Sequence, residues 1–594
     1  MDNPEQQKAI RSLARTVAVT AGPGTGKTFT LISHILYLVQ ECQVKPSEIT
    51  AVTFTNRAAG ELRERLQKNT GNKRGWKSLQ TGTFHAICLS YLQEKGETKI
   101  LIDGVEALEL IEEAAEKTGI KRKPERLQNL ISLYKTAGEN RKPDLDEKEL
   151  QAMEIYNESL QENGLWDYDD LLTETRRLLK AEKDHEEKPA KSRKAHSYLL
   201  VDEFQDINPI QYELLKLWNR DGRQLFVIGD PDQSIYGFRG SSSECFEQLR
   251  SDNQELLEIT LTANYRSAPE ILEAALPVIS NNPGPERLLF PINHKGPRVR
   301  LVTAQSLREE AAFAAGEIVR QVGGVDMLQA HEAAGEDRGE RNRSFGDIAV
   351  LYRTHRQAEL IEQYLKQEGI PCVIGGRDNF LSEPAVRGSV CFFRYLLNPE
   401  DVHSEKICKR LLWSDREDFS QMTEQYRLLL QKTRPEKLLT QWTEDMDLKE
   451  ERSIRKLADM AGFSRNMEEF LNRLLLGVEN DLKRCSGRHY ASDAVNLMTF
   501  HGAKGLEFPV VLLCGLNKGL LPLATGKGQA DIQEERRLFY VGMTRAKEEL
   551  VLLTSEEPSC FVKELPEKAV KQEAAVLKKQ EDSGTQMSLF EWMK

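Results

Sequence analysis

Residues 17–28 read Val17-Ala18-Val19-Thr20-Ala21-Gly22-Pro23-Gly24-Thr25-Gly26-Lys27-Thr28, and their chemistry nearly dictates their shape. Val17–Thr20 is an apolar run of strand length. From Phe29 to Gln40, Leu31, Ile35, Leu38 and Val39 recur at helical spacing. Strand, glycine-rich turn and helix in that order make a phosphate-binding loop. Gly22, Gly24 and Gly26 let backbone N–H groups close around phosphate oxygens, and the helix N-terminus adds partial positive charge. Ala21, Pro23 and Thr25 complete the loop, Lys27 reaches the β- and γ-phosphates, and the Thr28 hydroxyl suits a Mg2+ ion. The stretch predicts binding of a nucleoside triphosphate.

The rest of the chain has to carry what that triphosphate drives. At 594 residues it exceeds one core, and about 150 residues per domain suggests about four domains. Hydrophobic content of 39% and charged content of 29% are those of an ordinary globular protein. No apolar run approaches the roughly 20 residues of a membrane span. Met1-Asp2-Asn3-Pro4-Glu5 lacks the basic and apolar parts of a signal peptide. Nine cysteines without a CxxC pair indicate neither a metal site nor a disulfide framework, and a reducing cytoplasm is expected. A net charge of −11 argues weakly against a nucleic-acid coat, because binding follows the local field of a groove.

Strand-length apolar runs fall in two clusters. The first holds Val17–Thr20, Ile49–Phe54, Tyr198–Val201, Leu225–Ile228 and Ile259–Leu261; the second holds Val299–Val302, Ile348–Tyr352, Val495–Thr499, Val510–Cys514 and Leu550–Leu553. Such runs, bounded by Gly, Asp or helical patterns, predict two doubly wound parallel α/β domains. Each is interrupted by a charged stretch of helical periodicity. The expected limits are 1–86 with 190–267 and 268–389 with 491–556 for the α/β domains, and 87–189 and 390–490 for the helical insertions. A polar loop is expected over Gly323–Phe345, and a flexible tail over 557–594.

A second phosphate element is Leu199-Leu200-Val201-Asp202-Glu203-Phe204-Gln205-Asp206, in which an apolar strand delivers adjacent carboxylates at its C-terminal end. Asp202 suits the Mg2+ shell and Glu203 a general base for the attacking water. Asp202–Asp206 resembles motif II of the UvrD/Rep/PcrA-type superfamily 1 DNA helicases. The resemblance continues in chain order. Asn3-Pro4-Glu5-Gln6 is similar to the Q motif, Thr53–Ala59 to motif Ia, and Thr81–His85 to the next DNA-contacting element. Gly229–Tyr236 resembles motif III, Asn264-Tyr265-Arg266-Ser267 motif IV, Thr499–Phe508 motif V and Glu534–Ala546 motif VI; Ala349–Arg353 also matches.

The resemblance implies two tandem RecA-like P-loop domains and an ATP-dependent, DNA-stimulated helicase that moves 3′→5′ on single-stranded DNA in repair or replication. It implies that Gln6 reads the adenine edge, Tyr265 stacks on the base, Gln233 senses the γ-phosphate and Glu507 meets the ribose. Arg266 and Arg545 would act as arginine fingers, a role worth ~10³–10⁵ in rate or roughly 4–7 kcal/mol of barrier. Phe54, Tyr236 and Phe238 would stack on bases at ~1–3 kcal/mol each. Thr55, Asn56, His85, Arg353 and His501 would complete the DNA track. Two departures stand out: Phe238 replaces the family's usual Trp, and Phe29 replaces an Arg that covers adenine in many relatives. The insertion at 390–490 looks reduced, so translocation is implied more firmly than strand separation.

The alternative is a translocase, or a subunit of a helicase–nuclease complex without independent unwinding. No Asp/Glu/Lys cluster on a strand pattern follows Leu553, which argues against an intrinsic nuclease. In the tail, Gln586-Met587-Ser588-Leu589-Phe590 is similar to a pentapeptide that docks on the bacterial replication sliding clamp. DNA is the expected partner, the clamp a weaker one, and the isolated chain is expected to be a monomer.

Overall fold

The computed structural model describes residues 3–70, 74–137, 142–184, 196–241, 244–323, 343–375, 380–414, 416–430, 432–462, 464–476, 493–525 and 528–575. The chain divides into two compact units, Met1–Tyr265 with Gly376–Ala491 and Arg266–Gly375 with Ser492–Lys594. The clamp-like pentapeptide, and most of the loop expected over Gly323–Phe345, lie outside the described residues.

In the first unit, six parallel strands form one sheet: β1 (Thr16–Ala21), β2 (Ile49–Val52), β3 (Gln80–Gly82), β4 (Tyr198–Val201), β5 (Gln224–Gly229) and β6 (Leu257–Leu261). Their spatial order is β3-β2-β4-β5-β1-β6. Alternate side chains enter opposite cores, which is why these runs are apolar throughout. Val17, Val19, Leu200, Phe226 and Ile228 pack on one face with Leu31, Ile35 and Leu38 of helix Lys27–Gln40. Ala18, Leu199, Val201, Leu225 and Val227 pack on the other. Each fully buried Val, Leu or Ile side chain is worth about 1.5–3 kcal/mol. Because β4, β5 and β1 are neighbours, the acidic turn, the segment after Gly229 and the phosphate loop emerge at one edge of the sheet.

Two helical bodies complete this unit. The first contains Gly104–Thr118, Pro124–Thr136, Glu147–Glu162 and Tyr168–Asp184, with capping boxes at Asp103/Glu106 and Asp146/Glu149 starting two of them. The second comprises Pro384–Leu397, Val402–Leu412, Phe419–Leu430, Pro435–Asp445, Arg452–Ala461 and Met467–Leu476. These helices surround an aromatic core in which Phe392 and Trp442 stack at 4.4 Å. In sequence the second body interrupts the other α/β domain, yet it packs in the first unit. Arg394, 7% exposed, pairs with Glu106, 1% exposed, at 2.9 Å, and Arg387 pairs with Glu109 at 2.6 Å.

The second unit is built on seven parallel strands: β7 (Val299–Ala304), β8 (Ile348–Tyr352), β9 (Cys372–Ile374), β10 (Val495–Thr499), β11 (Phe508–Leu513), β12 (Ala546–Ser555) and β13 (Val570–Ala574). Their order is β9-β10-β8-β11-β12-β7-β13. Two expectations are corrected. The stretch after residue 557 is not tail throughout: Val570–Ala574 hydrogen-bonds along β7 as the edge strand, with only Val570 buried. The run expected over Ile49–Phe54 stops at Val52, and the partly buried Phe54 lies beyond the strand.

Candidate functional site

The phosphate loop has the predicted strand–turn–helix form. Gly24 and Gly26 have φ of 70° and 84°, a left-handed backbone that glycine adopts without strain. A Cβ at Gly26 would also come within 2.8 Å of Gln6 Nε2. Lys27 Nζ donates to Ala21 O at 2.9 Å and Gly22 O at 3.4 Å, and Thr25 Oγ1 donates to Gly22 O at 2.8 Å. Thr28 follows on the first turn of the helix.

The acidic turn after β4 brings further carboxylates to the same edge. Burial, added to by Glu203 and only partly offset by Lys27, pushes the Asp202 carboxyl up to about 7. Asp230, beyond β5, is pushed up to about 6 by burial, with Lys27 again opposing. Carboxylates outnumber the ammonium here, so a divalent cation suits the crease. Asp202 and the Thr28 hydroxyl are hard oxygen donors of the kind Mg2+ takes alongside phosphate oxygens and water. Glu203 sits at φ 51°, a left-handed geometry costing on the order of 1–3 kcal/mol for a non-glycine residue and often found where a side chain must be aimed.

Sequence reading gave no role to Gln205, which is wholly buried beside this turn. Its Nε2 donates to Glu203 Oε2 at 2.6 Å, and its Oε1 accepts the Asp230 N–H at 2.9 Å. Gln233, 3% exposed, donates to Asp230 Oδ2 at 2.6 Å. The one available signal was Gly229, where a Cβ would collide with Gln205 Oε1 and approach Phe204 N to 3.0 Å.

The residues expected to meet the nucleotide base lie around the loop. Gln6 Nε2 donates to Thr25 O at 2.9 Å. Asn3 accepts the Glu5 and Gln6 N–H groups as a helix cap and donates to Tyr265 OH at 3.1 Å. Tyr265 N donates to Gly24 O at 2.8 Å. Phe29 and Tyr265 are 56% and 41% exposed, leaving apolar ring faces open to a flat base.

Among the residues expected on a DNA track, Phe54 and Tyr236 stack at 5.1 Å and 20°, and Tyr236 meets Phe238 edge-on at 6.1 Å. Phe238 is 54% exposed, so the series ends in an open platform. Thr55 caps the helix that starts at Asn56, its Oγ1 accepting the Ala58 N–H at 3.1 Å. His85 packs edge-on to Tyr168 at 5.9 Å, and burial drives its imidazole down to about 4, so the ring is neutral at pH 7.

The remaining expected residues belong to the second unit. Arg266 Nε donates to Glu507 at 2.7 Å, and Lys547 pairs with the same carboxylate at 2.7 Å. Burial acts against the Glu507 charge, but Lys547 and Arg266 hold its carboxyl below the ordinary value. Arg545 is 1% exposed and donates to Val541 O at 2.9 Å and Leu506 O at 3.2 Å. Arg353 forms a two-pronged pair with Glu535, at 2.7 Å from Nη2 and 3.1 Å from Nε. His501 opens a short 3₁₀ turn after β10.

A phosphate loop and an acidic turn on adjoining parallel strands define a P-loop nucleotide-binding protein of the doubly wound class. Comparison with known families narrows this. Residues 2–254 match the UvrD/REP helicase N-terminal domain, and 259–425 and 408–557 match the UvrD-like helicase C-terminal domain. The chain belongs to the UvrD/Rep helicase family, whose two α/β domains are RecA-like. It is 30% identical over 653 residues to the ATP-dependent DNA helicase Rep of Escherichia coli (strain K12), covering 95% of this chain and 94% of that protein. It is 27% identical over 650 residues to the ATP-dependent DNA helicase PcrA of Staphylococcus aureus (strain MRSA252), covering 95% and 86%.

Proposed function

We propose that this chain is an ATP-dependent DNA helicase that moves 3′→5′ on single-stranded DNA, with Mg2+ as cofactor, in repair or replication. The observation carrying the proposal is the common edge of the first sheet. There the Lys27 loop, the Asp202-Glu203 turn and the aromatic series Phe54–Tyr236–Phe238 are set on neighbouring strand ends. In this reading Gln6, Phe29 and Tyr265 hold the base, and Lys27 binds the β- and γ-phosphates. Glu203 takes the proton from the attacking water, and Gln233 reads the γ-phosphate. Mg2+, held by Thr28 and Asp202, would spread the charge of the triphosphate. Arg266 and Arg545 are assigned to the γ-phosphate and Glu507 to the ribose. Water attacks phosphorus in line, the β–γ bridging oxygen leaves with ADP, and phosphate is released.

Stacking on rings is indifferent to base identity, as a motor crossing any sequence requires. Phe54, Thr55, Asn56, His85, Tyr236 and Phe238 form one part of the DNA track; Arg353 and His501 are the second unit's contribution. Work in a reducing cytoplasm is part of this reading; among the described residues eight cysteines are free, and no helix is long and apolar enough to cross a membrane. Strand displacement on 3′-tailed and 5′-tailed duplexes tests the proposal. ATP-dependent product from the 3′-tailed substrate alone is expected; product from the 5′-tailed substrate alone contradicts the direction, and none from either contradicts unwinding.

A further inference from the structure

We propose that Gln205 is a positioning residue that couples the DNA-contacting loop to the base Glu203, so that DNA stimulation of ATP hydrolysis passes through its side-chain amide. The inference rests on the reading above of Glu203 as base and of Tyr236 as a DNA contact, and adds the link joining them.

The chemistry of the amide fixes its orientation. A backbone N–H can only donate, so the oxygen of the Gln205 side chain must be the atom 2.9 Å from Asp230 N. The NH2 group is thereby turned toward carboxylates, 2.6 Å from Glu203 Oε2 and 3.4 Å from Asp206 Oδ2. Burial removes competing water, so a break in either bond strands a polar group. A second strut reaches the same residue through its main chain, where Ser234 Oγ donates to Gln205 O at 3.1 Å.

Both struts originate in one segment. Asp230 and Ser234 bracket Gln233, and Asp230 Oδ1 accepts the Asp232 N–H at 3.1 Å, stiffening the turn. Ile235 anchors the segment in the core with no exposed surface. Tyr236 follows directly and stacks on Phe54. A base that displaces the Tyr236 ring therefore moves a segment bonded at two points to Gln205. Glu203 cannot swing freely in response, because its left-handed backbone sets the direction of its side chain and Gln205 grips the tip. The amide thus reports the position of the loop at the oxygen that must meet water.

The test uses the full chain with Gln205→Glu, which keeps the acceptor for Asp230 but replaces the donor, and Gln205→Met, which keeps length and removes both. ATPase is measured with and without a single-stranded oligonucleotide, and affinities for the oligonucleotide and a fluorescent ATP analogue are measured by anisotropy. Both variants should lose about tenfold or more of the stimulation ratio, with both affinities within about twofold of the parent. Ser234→Ala, which removes only the second strut, should lower the ratio in the same direction. Combined with Gln205→Met, it should add little. An unchanged ratio in Gln205→Glu and Gln205→Met overturns the inference, as does an equal loss of basal and stimulated rates, which would make Gln205 a packing residue only. If the Gln205 variants do not fold, an unchanged ratio in Ser234→Ala overturns it alone. Glu203→Gln and Tyr236→Ala separate this from the functional reading: normal turnover in the first or normal stimulation in the second refutes that reading, whereas impaired controls with normal Gln205 variants refute the coupling alone.

Discussion

At the scale of single residues, the site combines groups whose types are forced with groups whose partners could not be foreseen. Lys27 is of the first kind. Lys27→Ala should abolish DNA-stimulated ATP hydrolysis, checked by phosphate release at saturating oligonucleotide; retained stimulation would refute the phosphate assignment. Glu203→Gln keeps size and hydrogen bonding but removes the base. It should bind ATP and DNA and turn over ~10²–10⁴-fold more slowly, read by single-turnover hydrolysis beside equilibrium binding. Both residue types are legible in sequence, because only a flexible ammonium and a carboxylate after an apolar strand meet those demands. Gln205 was not legible, since a glutamine in an acidic turn looks like any solvated polar residue until Gly229 is seen making room for it. Arg353 and Arg545 show the opposite limit. Their motif positions were plain, but not the Glu535 pair or the bonds to Val541 O and Leu506 O that hold them within their own unit.

At the scale of elements, burial decides what sequence can reveal. The ten apolar runs picked from periodicity all became strands. Gln80–Gly82, Cys372–Ile374 and Val570–Ala574 were missed, and each lies at the edge of its sheet. An edge strand has one neighbour and partial exposure, so it need not be apolar throughout. Three histidines of the first unit give a prediction at this scale. His34 bonds Ile10 O at 2.7 Å and Gln224 Oε1 at 2.8 Å, and burial lowers its pKa despite those bonds. Burial drives His85 and His196 down to about 4. Their folded values lie below the unfolded value of about 6.5, so the native state favours the neutral rings. Their stabilising contribution is full above about pH 6.5 and is lost as pH falls toward 4. The thermal midpoint should therefore drop steadily from about pH 6.5 to 4.5, measured by circular dichroism; His196→Asn should make the drop shallower. A flat midpoint would contradict the buried, neutral assignment.

At the scale of the whole molecule, chain order and packing part company. The helices from Pro384 to Leu476 lie in sequence between two strands of the second sheet but pack with the first unit. Hydrophobic periodicity marked this body as helical and could not say which neighbour it chooses, because Glu106 and Arg394 look like surface charges until they are paired. Arg394→Met leaves the buried Glu106 without its guanidinium, keeping the Asp103 N–H at 2.9 Å and His403 at 3.8 Å, and should destabilise the fold by ~3–5 kcal/mol. Adding Glu106→Gln, which preserves the cap to Asp103 N, should recover most of that loss in urea titrations followed by tryptophan fluorescence. Equal stability of parent and single variant would mean the pair carries no weight. Burial opposes the Glu106 charge, but Arg394 holds its carboxyl below the ordinary value. Its contribution is therefore present above about pH 4.3 and is lost as pH falls through the lower folded value.

That ionic joint also sets how the two helical bodies can come apart. Greasy faces lose on wetting, whereas a guanidinium and a carboxylate regain strong hydration when water enters. The seam at Glu106, Glu109, Arg387 and Arg394 therefore behaves as a fastener that can be undone and refastened, more than as a weld.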